Sequence, residues 1–180
     1  MTRYRYYTAA SLDGFLADEH DSLAWLFVQE QDDPAHHDTF MTGIGATVMG
    51  ATTYGWLVDH LADTGEPWPY EIPCFVFTHR TWEPLAESVR FVSGTPGGHR
   101  SAIEVAAAGR DVWVVGGGGL AADLADAGML DEAEVSIAPV TLGSGRPLLP
   151  GRFDLRLRAA ERNGAFLVAT YDVLGRPTTW

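Results

Sequence analysis

Cysteine is nearly absent from this sequence, because Cys74 is the single cysteine among 180 residues. One cysteine cannot form an internal disulfide, and its place in the apolar run 72–77 predicts a buried, small hydrophobic residue. Long hydrophobic runs are also absent, and residues 1–14 are too polar for a signal peptide. These absences argue against a secreted or membrane protein, and we expect a cytoplasmic one.

Basic residues are scarce relative to acidic ones. The chain has 12 Lys+Arg against 24 Asp+Glu, a formal net charge of −12. Phosphate contacts need a basic face, so this balance argues against nucleic acid and against an anionic membrane surface as partners. The hydrophobic content of 46% and the length predict one domain, residues 1–180, with a substantial core.

Motifs for metal binding and covalent hydrolysis are missing as well. His36 and His37 are adjacent and would point about 100° apart on a helix, so they would share one ion poorly. No Cys/His/Asp cluster has ligand spacing, and no Gly-x-Ser-x-Gly motif occurs. We therefore expect no metal and no covalent hydrolase.

The stretch 111–127 carries the strongest signal that is present. Residues 111–115 predict a short buried strand, and Leu120 begins a helix that ends near Gly128. Four glycines, 116–119, join them. Such a junction presents bare backbone N–H groups at a helix N-terminus, which attracts phosphate. The alternative is a tight turn, and the run matches neither the G-x-G-x-x-G fingerprint nor a Walker A loop.

The remaining chain predicts an α/β fold. Strands are expected at 3–10, 46–49, 72–78, 89–92 and 130–140. Helices are expected from the start at Asp32, Asp33 and Pro34 to about Thr42, and at 54–60 and 100–108, with a turn at 95–98 and loops at 62–71 and 142–149. Asn163-Gly164 joins two alternating runs, 153–162 and 165–173, and is typical of a hairpin. The order predicts a mostly parallel sheet with an antiparallel hairpin at one edge.

Three strand ends converge in this arrangement: 11–14, 50–53 and 116–119. Ligands of such sheets bind beyond the carboxyl ends of the strands. The junction 50–53 is either a capped helix start or a second wall for an extended phosphate ligand such as a dinucleotide. Arg80 is either a partner for an extra phosphate or a solvated arginine. Asp13 is either a proton-handling or substrate-anchoring carboxylate or a turn residue bonded to its own backbone.

These junctions together resemble the dihydrofolate reductase fold. The resemblance is closer to the C-terminal reductase domain of the bifunctional deaminase-reductase of riboflavin biosynthesis and its stand-alone relatives, and it covers nearly the whole chain. It rests on Ser11-Leu12-Asp13-Gly14, on the segments 48–54 and 114–118, and above all on 139–148, PVTLGSGRPL. The resemblance implies a three-layer sandwich with helices on both faces of the sheet, and a homodimer.

The resemblance also implies NADPH as hydride donor and assigns residues to it. The expected cofactor-binding residues are Ala9, Leu16, Gly50, Thr52, Thr53, Thr78, His79, Arg80, Gly116, Gly117, Gly118, Gly119 and Leu120. Asp13 is the expected catalytic residue, and Ser11, Trp25, Gly143 and Leu148 are expected to border the substrate. Ala51 stands where dihydrofolate reductases commonly carry a basic residue, so the choice of NADPH over NADH rests on Arg80.

The implied function is an NADPH-dependent reductase of a small pterin- or aminopyrimidine-type heterocycle, with 5-amino-6-(5-phosphoribosylamino)uracil as one candidate. NADH is the alternative cofactor. Gly116 occupies the position where the riboflavin reductases usually have a substrate-binding glutamate, so the substrate is left open. The alternative function is a non-catalytic nucleotide- or ligand-binding module on the same fold.

Overall fold

The computed structural model describes residues 1–33 and 35–178, and within them it has ten strands and five helices. The strands are β1 (Tyr4–Ser11), β2 (Phe15–Ala17), β3 (Ile44–Gly50), β4 (Cys74–Phe77), β5 (Val89–Val92), β6 (Asp111–Gly116), β7 (Glu132–Ala138), β8 (Arg146–Pro147), β9 (Asp154–Asn163) and β10 (Phe166–Gly175). The helices are α1 (Ala24–Phe27), α2 (His36–Thr42), α3 (Ala51–Thr64), α4 (Pro96–Ala107) and α5 (Gly118–Asp126).

Eight of the strands form one sheet in the order β5-β4-β3-β6-β1-β7-β10-β9. Every pairing from β5 to β7 is parallel. β10 runs antiparallel to both β7 and β9, and β9 forms the far edge. The predicted α/β fold, with a mostly parallel sheet and a C-terminal antiparallel hairpin, is confirmed. The carboxyl ends of β1, β3 and β6 consequently meet at one edge of the sheet.

Helices cover both faces of this sheet. On one face, α4 and α5 bury Ile103 and Leu124 against Tyr6, Val48 and Val114. On the other face, α3 places Tyr54 against Met49 and Val76, and α2 places Phe40 against Trp113. The two faces follow from the alternation of side chains along each strand. None of the described helices has both the length and the hydrophobicity of a membrane span.

Several local predictions are corrected by the structure. The turn predicted at 95–98 is wrong, because α4 already begins at Pro96, whose fixed φ suits the first turn of a helix. α3 is longer than expected and includes residues 62–64, which the sequence pattern places in a loop, before Gly65 ends it with φ +73°. The loop predicted at 142–149 contains β8, which pairs with β2.

Other local predictions are confirmed. α2 ends at Thr42 with Gly43 as its C-cap, although its predicted start at Pro34 lies outside the described residues. β5 has the expected bounds, and β9 and β10 form the hairpin around Gly164, whose φ is +61°. Cys74 is fully buried on β4, as its apolar neighbours predict.

Candidate active site

Two strand-to-helix corners lie side by side at the carboxyl edge of the sheet. β3 and β6 are paired, with Met49 opposite Gly116, so the N-termini of α3 and α5 are neighbours. A Cβ placed on Gly50 would lie 3.9 Å from the backbone nitrogen of Gly117. These two glycines are the N-caps of the helices, and neither makes a side-chain cap hydrogen bond. Backbone donors of both helices are therefore available to one anionic ligand.

The four glycines of the second corner have different reasons to be glycine. A Cβ on Gly118 would overlap the carbonyl oxygen of Pro147, so the protein's own backbone requires this glycine. A Cβ on Gly116 would lie 3.1 Å from the hydroxyl oxygen of Thr53. Gly119 is exposed, and a Cβ on it would have nothing within 4 Å. Internal packing thus explains Gly118, whereas Gly119 leaves room for a ligand to approach the backbone.

A cleft of about 290 Å³ opens at these corners, and we call it the glycine cleft. It contains eight of the predicted cofactor-binding residues: Ala9, Leu16, Thr52, Thr53, Gly116, Gly117, Gly118 and Gly119. Its other lining residues are Thr8, Ala17, Asp21, Leu23, Leu26, Trp56, Val115, Arg146 and Pro147. The structure therefore brings most of the predicted cofactor set together, on four separate stretches of the chain.

The remaining predicted cofactor residues lie around this cleft. The side chain of Leu120 is buried in the core, which leaves only its backbone on the first turn of α5. Thr78, His79 and Arg80 follow β4, whose last residue pairs with Gly50. The Thr78 hydroxyl accepts a hydrogen bond from the Arg80 backbone N–H at 2.9 Å. These three residues occupy the same edge of the sheet as the glycine cleft but lie outside its lining.

A second cleft of about 550 Å³ continues from the first, and we call it the aromatic cleft. Both clefts are lined by Thr8, Ala9, Leu23, Leu26, Thr53, Trp56 and Val115. The second is lined in addition by Tyr7, Phe27, Gln29, Gln31, His37, Leu57, Tyr70, Trp113, Ser136, Asn163 and Phe166. No sequence signal predicts this cleft, because its aromatic residues are scattered over the chain without a common spacing.

Asp13 lies outside both clefts and holds two loops together. Its carboxylate accepts hydrogen bonds from the Ser11 hydroxyl at 2.6 Å and from the backbone N–H groups of Leu142 and Gly143 at 3.1 and 2.7 Å. These donors lower the pKa of the Asp13 carboxyl, the Ser11 hydroxyl most strongly. An ionised, fully used carboxylate is a poor proton donor. The geometry favours a structural role, and the catalytic role of Asp13 stays a prediction.

The residues expected to border the substrate also lie outside the two clefts. Ser11 is buried, and its hydroxyl also accepts the Phe15 N–H at 2.9 Å. Trp25 packs beside Phe166 against β7 and β10. Gly143 donates its N–H to Asp13, and the Leu148 carbonyl accepts the Tyr6 hydroxyl at 2.9 Å. The structure thus gives these four residues places in the scaffold around the site.

An ion pair forms part of the wall of the glycine cleft. The Arg146 guanidinium contacts both carboxylate oxygens of Asp21, at 2.5 and 2.8 Å. This pairing lowers the pKa of the Asp21 carboxyl. The pair links the loop after β2 to β8. It escapes prediction from the sequence, because 125 positions separate the two residues.

The histidines near the aromatic cleft have separate partners. His36 Nε2 lies 2.7 Å from a Glu134 carboxylate oxygen, whereas the His37 ring lies edge-on to Trp113 with centroids 5.4 Å apart. Among the described residues, no group of three or more His, Cys, Asp or Glu side chains could hold a metal ion.

Known proteins share this fold and parts of this sequence. The family model of the RibD C-terminal domain matches residues 104–164. The uncharacterized protein YwjB of Bacillus subtilis is 29% identical over 162 residues, which cover 88% of this chain and 90% of YwjB. A Shewanella sp. PV-4 protein named for riboflavin biosynthesis superposes with a TM-score of 0.77 at 24% identity, covering 96% of this chain and 99% of the other.

The fold is the one found in RibD-type proteins. The Thermotoga maritima diaminohydroxyphosphoribosylaminopyrimidine deaminase/5-amino-6-(5-phosphoribosylamino)uracil reductase shares it, with a TM-score of 0.63 at 14% identity. That match covers 96% of this chain but 56% of the bifunctional protein, so the chain spans little more than half of it. The resemblance predicted from the glycine corners and the segment 139–148 is confirmed, and so is the dihydrofolate reductase-like fold class.

Proposed function

We propose that this protein is an NADPH-dependent reductase of a small pterin- or aminopyrimidine-type heterocycle. The observation that carries the proposal is the continuity of the two clefts. The glycine cleft offers uncapped backbone donors at two helix N-termini, and the aromatic cleft adjoins it along Ala9, Thr53 and Val115. A dinucleotide and a flat second ligand can therefore be held next to each other.

The residues present fit a nicotinamide cofactor. The exposed Gly119 has open space where a side chain would stand, and the N-terminus of α5 favours an anionic pyrophosphate. The cofactor, when bound, supplies the hydride. The chain contributes binding and orientation: Ala9 and Leu16 form an apolar surface for the nicotinamide ring, and Thr53 lies at the boundary of the two clefts.

Two successive measurements test this proposal, the first of cofactor binding and the second of turnover. A ligand that binds only the folded state raises the free energy of unfolding by about 2.7 kcal/mol when present at about 100 times its Kd. We expect NADPH to raise Tm, and we expect NADPH absorbance to fall when a dihydropterin or aminopyrimidine substrate is added. The absence of a Tm shift at millimolar NADPH would contradict the proposal.

A second candidate is a ligand-binding module without turnover. It is favoured by one observation: among the described residues that line the aromatic cleft there is no Asp or Glu that could deliver a proton. This candidate predicts a Tm shift with NADPH but no loss of NADPH absorbance with any pterin or aminopyrimidine. The two candidates are thus separated by the turnover measurement.

We also propose that the protein is a homodimer that takes a small molecule as its substrate. The proposal is supported by the resemblance to the reductase domains. Sedimentation velocity at several protein concentrations tests it, and a single monomeric species at all of them would contradict it.

A further inference from the structure

We infer that the aromatic cleft takes an electrically neutral, planar heterocycle that carries neither a phosphate nor a carboxylate. This inference rests on the proposed function and narrows its substrate class. It follows from the aromatic walls of the cleft, from its uncharged hydrogen-bonding groups, and from the ion pairs of Arg5 and Arg146 beside it.

Aromatic rings form two walls of the cleft. On the sheet side, Tyr7 and Trp113 lie edge to face with centroids 6.2 Å apart, and Tyr70 meets Trp113 at 5.5 Å. On the helical side, Trp56 of α3 lies 6.2 Å from Phe27 of α1. Ring faces and edges at these spacings suit a flat, conjugated ligand, because offset-stacked and edge-to-face contacts add to the burial of apolar area.

Apart from His37, the polar side chains of the described lining are uncharged. Thr8, Thr53 and Ser136 supply hydroxyls, and Gln29 and Gln31 supply amides. Ser136 on β7 pairs with Ala9 on β1, so its hydroxyl lies beside the strand that both clefts share. Burial, followed by the neighbouring Glu134 carboxylate, raises the pKa of Tyr7 to about 12, so its phenol is uncharged at neutral pH. Hydroxyls and amides recognise the edge of an uncharged ring without a counter-charge.

The described lining of the aromatic cleft contains no arginine, and the sequence contains no lysine at all. Arg146, in the neighbouring glycine cleft, is paired with Asp21. Arg5, on the strand that leads to Tyr7, contacts Glu132 at 2.5 Å and Glu134 at 3.7 Å. His37 is the one histidine of the described lining, and its side chain lies 3.7 Å from the Asp38 carboxylate.

A phosphate group would find no unpaired cation among the described residues that line this cleft. Removing its charge from water without a partner is unfavourable. The net charge of −12 adds a long-range repulsion of anions. The same repulsion applies to the cofactor, but the glycine cleft compensates with the N-termini of α3 and α5, which meet there at the glycines Gly50 and Gly117.

A matched pair of ligands tests the inference. The neutral nucleoside 5-amino-6-(ribosylamino)uracil and its 5′-phosphate differ only in the phosphate. Binding of each is measured by quenching of tryptophan fluorescence, with and without NADP⁺, so the result does not depend on the cofactor. We expect the neutral compound to bind at least about 10-fold more tightly, a difference of about 1.4 kcal/mol. Equal or tighter binding of the phosphate, or binding of neither compound, overturns the inference.

Substitutions that place a positive or a negative charge at Gln31 provide the matched variants. Gln31 is exposed at the cleft. Gln31→Arg should reduce the discrimination against the 5′-phosphate several-fold, whereas Gln31→Glu should preserve or increase it. Identical discrimination in the two variants would show that charge at the cleft does not decide between the neutral compound and its phosphate, which overturns the inference. Failure of the proposed function would be distinguished by the absence of NADPH binding or oxidation, which is measured separately.

Discussion

Gly118 packs against the carbonyl oxygen of Pro147 so closely that a Cβ on this glycine would overlap that oxygen. The contact ties the N-terminus of α5 to β8, which in turn pairs with β2 beside the glycine cleft. One residue further along, Gly119 has nothing within 4 Å of the position of a Cβ. The two neighbouring glycines therefore serve different purposes. Substituting each of them by alanine should distinguish the packing role of Gly118 from the ligand-binding role of Gly119.

Gly118→Ala should destabilise the fold, and Gly119→Ala should not. Overpacking of this kind costs about 1–3 kcal/mol, whereas alanine at an open helical position gains up to about 1 kcal/mol over glycine. Urea unfolding of both variants measures the difference. Gly119→Ala should nevertheless weaken NADPH binding by about 10-fold or more, about 1.4 kcal/mol, because its methyl group enters the glycine cleft. Unchanged affinity in Gly119→Ala would place the cofactor elsewhere.

Asp13→Asn tests whether this carboxylate is structural or catalytic. Loss of a general acid costs about 100-fold or more in kcat, whereas loss of a loop clamp should lower Tm and leave kcat within a few-fold. We expect the second result, because the carboxylate already accepts bonds from Ser11, Leu142 and Gly143. The hydrogen bonds lower its pKa, so the clamp persists at neutral pH and is lost only as pH falls below the ordinary value of 3.8. A change in the pH dependence of kcat in Asp13→Asn would instead support a catalytic role for this carboxylate.

Arg80→Gln should weaken NADPH binding and leave NADH binding nearly unchanged. Arg80 follows β4 at the carboxyl edge of the sheet, and its guanidinium lies 5.7 Å from the Trp82 ring centroid. If it pairs with the extra phosphate, its loss should raise the Kd of NADPH by about 10-fold, in line with about 1.5–3 kcal/mol for charged hydrogen bonds. Arg110→Gln is the control, because Arg110 precedes β6 at the opposite edge. Equal effects of Arg80→Gln on both cofactors would contradict the assignment.

Stability should decline in alkaline solution. Burial raises the pKa of the Cys74 thiol from 9.0 to about 11 and that of Tyr4 from 10.0 to about 12. At a pH between the ordinary and the raised pKa of each group, the unfolded chain has released a proton that the folded chain retains. The free energy of unfolding therefore falls as pH rises above 9. The thiol alone contributes about 2–3 kcal/mol of this loss. Urea midpoints as a function of pH measure it, with Cys74→Ala as control, and a midpoint that stays constant above pH 9 would contradict the expectation.

The sequence by itself determined the strand-to-helix corners, the hairpin at Gly164 and the burial of Cys74. Each depends on backbone preferences or hydrophobic patterning within about ten neighbouring residues. Such local patterns can be recognised without knowledge of the tertiary contacts. The error at 95–98 is also local: the same proline and glycines suit a turn or the first turn of a helix, and packing of Ile103 in the core favours the helix.

Only the tertiary structure decided which residues lie next to the strand-to-helix corners. The aromatic cleft takes Tyr7, Trp56 and Trp113 from three distant parts of the chain, and the pair of Asp21 with Arg146 spans 125 positions. The hydrogen bonds of Asp13 to Leu142 and Gly143, which favour a structural role, likewise join residues about 130 positions apart. Such contacts arise from the order of strands in the sheet, and no local preference of the residues involved encodes that order.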